Sequence, residues 1–132
     1  MSDRFSELKI VLVQNDIANK TLIYKLLKQS GAGEVTAFVK STDALSHLKG
    51  ISVDLVIADM DTEPLDGVAF THALRGPGLE INRTTPLMLT VAGASAGRIK
   101  EAIDAGANNI LAKPFSQSDL LKRIGMTLKK IA

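Results

Sequence analysis

The chain has 132 residues, 45% of them apolar and 23% charged, a length and balance that suit one soluble domain with its own core. It contains no cysteine, which excludes disulfides and thiolate-held metals and makes a reducing cytoplasm the expected location. The net charge of +2 gives no argument for nucleic acid, and no apolar run has the length of a membrane span or the layout of a secretory signal.

Taken in order, Leu8 to Val13 is a β-branched and leucine run that reads as a buried strand. It stops at Gln14-Asn15-Asp16, polar residues suited to a strand-to-helix turn with an N-cap. Ala18, Leu22, Ile23, Leu26 and Leu27 then recur at helical spacing, with Lys20, Lys25 and Lys28 outward, and Gly31 and Gly33 end the helix. Val35, Ala37 and Val39 alternate as a strand nearer the sheet edge. Ser41 or Thr42 caps a helix with Ala44, Leu45 and Leu48 inward, closed by Gly50.

The next stretch, from Val53 to Gly67, organises the rest. An apolar run leaves the sheet on Asp59 and continues through Asp61, Pro64, Asp66 and Gly67. In open parallel α/β sheets, ligands bind outside the carboxyl ends of the strands, which is where this spacing puts the Asp59 carboxylate. Taken alone, the same Asp could equally cap the next turn. Beyond it lie a helix carrying Val68, Ala69, Phe70, Ala73 and Leu74, and a polar loop from Leu79 to Pro86. Then come a strand from Leu87 to Val91, a helix from Arg98 to Gly106 with Ile99, Ala102 and Ile103 inward, and a strand from Asn109 to Ala112. Ser116 and Asp119 form a capping-box start to a last helix with Leu120, Leu121, Ile124, Leu128 and Ile131 inward. Lys122, Arg123, Lys129 and Lys130 near its carboxyl end read as a solvated face that suits the helix dipole.

Five strand–helix alternations predict one α/β domain over residues 1–132: a flavodoxin-like, doubly wound, five-stranded parallel sheet in order 2-1-3-4-5 with five helices. Its switch point lies between the first and third strands, so Gln14-Asn15-Asp16 should face Asp59.

On those residues the chain resembles the receiver domains of response regulators in two-component signalling. The likeness spans nearly the whole chain and rests on Asp59, on Asp66-Gly67, on Asp104-Ala105-Gly106-Ala107, and on Lys113-Pro114-Phe115. It implies a phosphorelay role in which Asp59 accepts a phosphoryl group from a histidine kinase or phosphotransfer protein. Lys113 would pair with the phosphoryl oxygens or, at rest, with Asp59, and a cis Lys113-Pro114 bond would aim that lysine inward. Signalling would then run through a contact surface toward a downstream protein or a second copy of the chain. In the family that surface often includes the face on which Ile110 and Lys100 are expected, with Ile110 in place of a switching aromatic. Because no output domain is expected to follow the last helix, output is expected by contact, with the chain acting as a diffusible partner, a phosphate sink or a fragment of a longer protein.

The resemblance also implies Mg²⁺, and here the sequence departs from the family. Gln14 and Asn15 stand where two acidic residues usually hold the ion, which leaves Asp59, Asp61, Asn15 and Asp16 as a weakened donor set, because a hard dication favours carboxylates. At Asp61 the family offers a backbone carbonyl to the metal. Counting from Pro86 and from Lys113 places Val91, not the adjacent Thr90, at the family's hydroxyl position, and a one-residue shift turns a strand side chain to the other face. Pro64 comes one residue later than in the commonest pattern. These departures keep a second reading open, a pseudo-receiver that acts as an interaction module with little metal-dependent phosphorylation.

Gly93-Ala94-Ser95-Ala96-Gly97 also fits a nucleophile elbow, which would make Ser95 a hydrolase nucleophile. In such enzymes the catalytic histidine follows the serine, whereas His47 and His72 both precede it. A cap for the fourth helix is the better reading of Ser95, and exposed helix positions the better reading of both histidines.

Overall fold

The computed structural model describes residues 5–93 and 96–129. The strands β1 (Lys9–Val13), β2 (Glu34–Phe38), β3 (Leu55–Asp59), β4 (Leu87–Ala92) and β5 (Asn109–Lys113) form one parallel sheet in the order β2-β1-β3-β4-β5, as predicted. Among the described residues the helices are α1 (Ile17–Gln29), α2 (Ser41–Leu48), α3 (Gly67–Leu74), α4 (Ala96–Ala105) and α5 (Gln117–Lys129), with a 3-10 turn at Glu80–Asn82. Side chains alternate across each strand, and both sheet faces are covered by helices, so the central strands carry apolar residues on both faces. β3 is buried throughout. β2, on the edge, is only half-buried.

Two apolar layers result. One, against α2, α3 and α4, holds Val11, Val13, Val56, Ala58, Leu87, Leu89 and Val91 together with Leu48, Phe70, Leu74 and Ala102. The other, against α1 and α5, holds Ile10, Leu12, Leu55, Ile57, Met88 and Leu111 together with Ile23, Leu27, Leu120 and Ile124. Phe70 is fully buried, and truncating such a ring typically costs about 3–5 kcal/mol.

Helix starts follow local chemistry. Asp16 caps α1 by accepting from the amides of Ala18 and Asn19, and Asp66 caps α3 by accepting from Ala69. At α5 the amide of Ser116 donates to Asp119 Oδ2 while the amide of Asp119 donates to Ser116 Oγ, the expected reciprocal box. The α2 cap is different: Lys40 holds that place without a side-chain bond, and Ser41, fully buried, accepts instead from the Leu65 amide.

Three apolar expectations fail for one reason: the stripes are wider than the faces the sheet accepts. Ala18 is exposed, and Leu22 and Ile103 lie at 52% and 44% exposure beside buried Ile23 and Ala102. His72 is exposed as expected, but His47 is half-buried, its ring 5.3 Å from that of Phe38. Arg123 is likewise half-buried and donates to Asn109 Oδ1, so the basic face of α5 is not wholly solvated. Ser95, Lys130 and Ile131 lie outside the described residues.

The polar loop before β4 is more built than its composition suggests. Asn82 is fully buried; it accepts from the Val53 amide and from Thr85, and donates to the carbonyls of Leu48 and Ile51. Arg75, just past α3, donates to the carbonyls of Arg83, Thr85 and Gly106 and to the side chain of Asn108. Gly106 has φ +121°, and a Cβ there would fall 2.9 Å from Arg75 Cγ, so only glycine allows this approach. Gly67 is equally constrained, because a Cβ would lie 2.8 Å from the Met60 Cα and lift α3 off the loop that follows Asp59.

Candidate functional site

The site assembles by strand parity. Gln14, Asp59, Thr90 and Lys113 each lie two residues beyond an apolar residue of the α1/α5 layer, namely Leu12, Ile57, Met88 and Leu111. Side chains two apart share a face, so four polar groups converge where four adjacent strands leave the sheet. Asp59 and Thr90 are direct partners in the β3–β4 register.

Asp59 is 6% exposed, so its carboxylate needs hydrogen-bonding partners. Oδ1 accepts from Lys113 Nζ at 2.6 Å and from Thr90 Oγ1 at 2.7 Å. Oδ2 accepts from the Asp61 amide at 3.0 Å. Gln14, 1% exposed, donates its side-chain amide to Thr90 Oγ1 at 3.2 Å, which leaves the threonine hydroxyl proton directed at Asp59. The ion pair and the Lys113-Pro114 cis bond agree with expectation.

The hydroxyl expectation is corrected. Thr90, not Val91, brings the hydroxyl to Asp59, because Asp59 and Thr90 face the same layer. Val91 is 3% exposed in the opposite apolar layer. Ile110 belongs to that layer too: it is half-buried and packed against the α2/α3/α4 core rather than standing free on the surface. Lys100, expected on the same face, is exposed and pairs with Asp104 at 2.9 Å, which raises the lysine above its ordinary pKa.

The expected metal set is dispersed. Asp16 is engaged by its cap, accepting from the Ala18 amide, and by Asn19 Nδ2. Asn15 fastens the loop after β3, donating to the Asp61 carbonyl at 3.2 Å and accepting from the Glu63 amide at 3.0 Å. The Asp61 carboxylate pairs with Arg98 from α4 at 3.0 Å. Arg98 also donates to the Met60 carbonyl at 3.1 Å and lies 3.9 Å from Asp66 Oδ2. Among the described residues only Asp59 brings a carboxylate to the centre, and it is already matched by Lys113. Among the described residues, no group of three His, Cys, Asp or Glu side chains could hold a metal ion. Mg²⁺ takes near-octahedral oxygen ligands and favours carboxylates, so this donor set does not fit it.

Arg98 and Asn82 escaped the sequence reading. Arg98 shows only as one basic residue on a helix, since its position over the β3–α3 loop depends on how α3 and α4 pack. A cavity of about 480 Å³ opens there, lined by Asp61, Glu63, Pro64, Asp66 and Arg98 among others.

A carboxylate at the end of the third strand is paired with a lysine from the fifth in a 2-1-3-4-5 parallel sheet, the arrangement of a flavodoxin-like domain. Residues 10–125 match the response regulator receiver domain family, and the chain belongs to that family, the receivers of two-component systems. It is 32% identical to the protein PetR of Rhodobacter capsulatus over 92% of this chain and 49% of that one, so it spans about half of that relative. It is 27% identical to a probable chemotaxis protein CheY of Rhizobium etli, over 83% of this chain and 84% of that one. Among solved structures it is similar to the receiver domain of a sensor histidine kinase from Pseudomonas aeruginosa, which has a magnesium ion coordinated in its active-site cleft. That likeness has a TM-score of 0.82 at 27% identity, over 92% of this chain and 98% of that one. Receiver domains typically bind Mg²⁺ and interact with histidine kinases or phosphotransfer proteins. The serine-hydrolase reading finds no support. No described helix is long and apolar enough to cross a membrane.

Proposed function

We propose that Asp59 is the phospho-acceptor of this receiver domain, taking its phosphoryl group from a phosphohistidine of a kinase or phosphotransfer protein. The observation that carries this reading is the Asp59 carboxylate held by both Lys113 and Thr90 at the carboxyl edge of the sheet. Oδ1 already accepts two bonds, so Oδ2 keeps the free lone pair and is the attacking oxygen. The Oδ2–P bond forms as the N–P bond of the donor breaks; the electron pair leaves with the imidazole, which takes up a proton. The product is an acyl phosphate. Phosphoryl transfer of this kind is mostly positioning and neutralisation of negative charge, and Lys113 supplies a positive charge beside both reactants. Thr90 supplies a hydroxyl donor to the same group.

The output is a change at a protein-contact surface, read by a downstream protein or by a second copy of the chain. Receiver domains are signalling modules, and the cytoplasm is the location that suits this role. Treatment with phosphoramidate followed by intact-protein mass tests the reading. One added phosphoryl group is expected on the natural chain and none on Asp59→Asn. A natural chain that stays unmodified with and without Mg²⁺ sinks the acceptor role and favours a pseudo-receiver.

A further inference from the structure

We infer that Arg98 is a positioning residue of the phosphoryl site, a resident cation that takes over the charge balance Mg²⁺ gives other receivers; the inference rests on Asp59 being the acceptor. Asp61 is the hinge of the argument. Its amide donates to the attacking Asp59 Oδ2, its carbonyl accepts from Asn15, and its carboxylate pairs with Arg98 at 3.0 Å. One residue thus ties the nucleophile, the loop and the guanidinium together. Asn15 occupies the carbonyl with an N–H, where a cation would otherwise be drawn.

Arg98 also donates to the Met60 carbonyl and faces Asp66, so the guanidinium bridges the backbone next to Asp59 and two acidic side chains around it. Without it, Asp61 and Asp66 would present unmatched charge toward an incoming dianionic phosphoryl group. The positive charge that a dication supplies is therefore divided between Lys113 on one side and Arg98 on the other. Both are covalently part of the chain, so transfer should proceed without metal. The side chains of Arg98 and Asp61 are 37% and 58% exposed, so substitution at Arg98 does not open the core.

The test compares phosphoramidate labelling of the natural chain, Arg98→Gln and Arg98→Lys, each in excess EDTA and in millimolar MgCl₂, by intact mass over time. Thermal midpoints confirm that all are folded. The natural chain is expected to label at rates within about threefold of each other in the two buffers. Arg98→Gln should lose at least about tenfold in EDTA, as removal of an electrostatic stabiliser does, and Arg98→Lys should recover most of it. Mg²⁺ should speed Arg98→Gln more than the natural chain, because the substitution frees the Asp61 carboxylate; a merely structural arginine would not create a new metal response. If the natural chain labels only with Mg²⁺, or Arg98→Gln labels as fast as the natural chain in EDTA, the inference falls while Asp59 remains the acceptor. If no variant labels in either buffer, the acceptor role falls and the inference with it.

Discussion

Thr90 Oγ1 donates to Asp59 Oδ1 at 2.7 Å, joining two residues that are direct partners in the β3–β4 register. The hydroxyl is fully buried and is held from behind by Gln14, so its proton has one destination. Thr90→Val keeps the shape and removes that donor. It is expected to slow labelling of Asp59 by about tenfold, the lower range for loss of a hydrogen bond to a charged group. Val91→Thr should bring no gain, because it adds a hydroxyl to the opposite apolar layer at a cost of about 1–3 kcal/mol. A urea midpoint and a labelling rate for each variant decide this; a faster Val91→Thr would show that Thr90 is not the working hydroxyl.

Lys113 is predicted to stabilise the fold through Asp59. Their side chains are 19% and 9% exposed, so Lys113→Met leaves a carboxylate in the protein with its counter-ion gone. Breaking such a pair from one side costs about 3–5 kcal/mol, reduced here by the partial exposure of the lysine. Adding Asp59→Asn removes the stranded charge and should restore part of the loss. Urea unfolding of both single variants and the double gives the coupling, and strictly additive losses would mean the 2.6 Å contact carries none.

A complementary prediction concerns Gln14 and Asn15. Gln14→Asp with Asn15→Asp puts two carboxylates beside Asp59 and abolishes the amide donation to Thr90 and the Asp61 carbonyl. Unloaded, the variant should be less stable than the natural chain, because position 14 is only 1% exposed and a charge there is poorly solvated. Mg²⁺ binds the folded form and should raise the melting temperature of the variant, with little effect on the natural chain. Calorimetric titration should place the gain in affinity on the order of 10- to 100-fold, the scale seen when the surroundings of a metal site change. An equal Mg²⁺ response in the natural chain would contradict the account of the dispersed donor set.

The sheet order and the meeting of Asp59 with Lys113 were legible because both follow apolar runs, and such runs end where a parallel sheet opens. Thr90 was misjudged because counting from Pro86 and Lys113 fixes a position, whereas the face is set by parity. Met88 and Thr90 match Ile57 and Asp59 two by two, a signal available in the sequence. Arg98 left no comparable trace: its role arises where α4, distant from β3 in the chain, packs beside α3 and closes over the loop. Asn82 was hidden by composition, since a loop of polar residues reads as solvated until its acceptors are found below the surface. Leu22 and Ile103 show the converse, apolar residues on helices whose buried faces are narrower than their stripes.

The start of α5 gives a prediction with pH. The Ser116 amide, and after it the Ser116 hydroxyl, hold the Asp119 carboxyl below its ordinary pKa. A depressed carboxyl contributes stability that is present above its unfolded pKa and is lost as the pH falls through the lower folded value. Asp119→Asn should therefore be less stable than the natural chain at neutral pH, with the gap closing as the solution passes below the ordinary carboxylate range. Urea midpoints at several pH values check the sign; a gap that widens in acid would reverse it.

Arg75 binds the far side of the sheet from Asp59, gathering the C-terminal end of α3 and the residues that lead into β4 and β5. Those elements are thus anchored at one end and meet the polar groups around Asp59 at the other. A lever fixed at one end turns when its free end is pushed; it does not slide. Phosphorylation should accordingly tilt α3 and α4 about the Arg75 anchor, with amide-exchange changes largest near Met60 and Arg98 and smallest near Asn108. The reach of the signal is then set by the length of the helices rather than by the size of the chemical change.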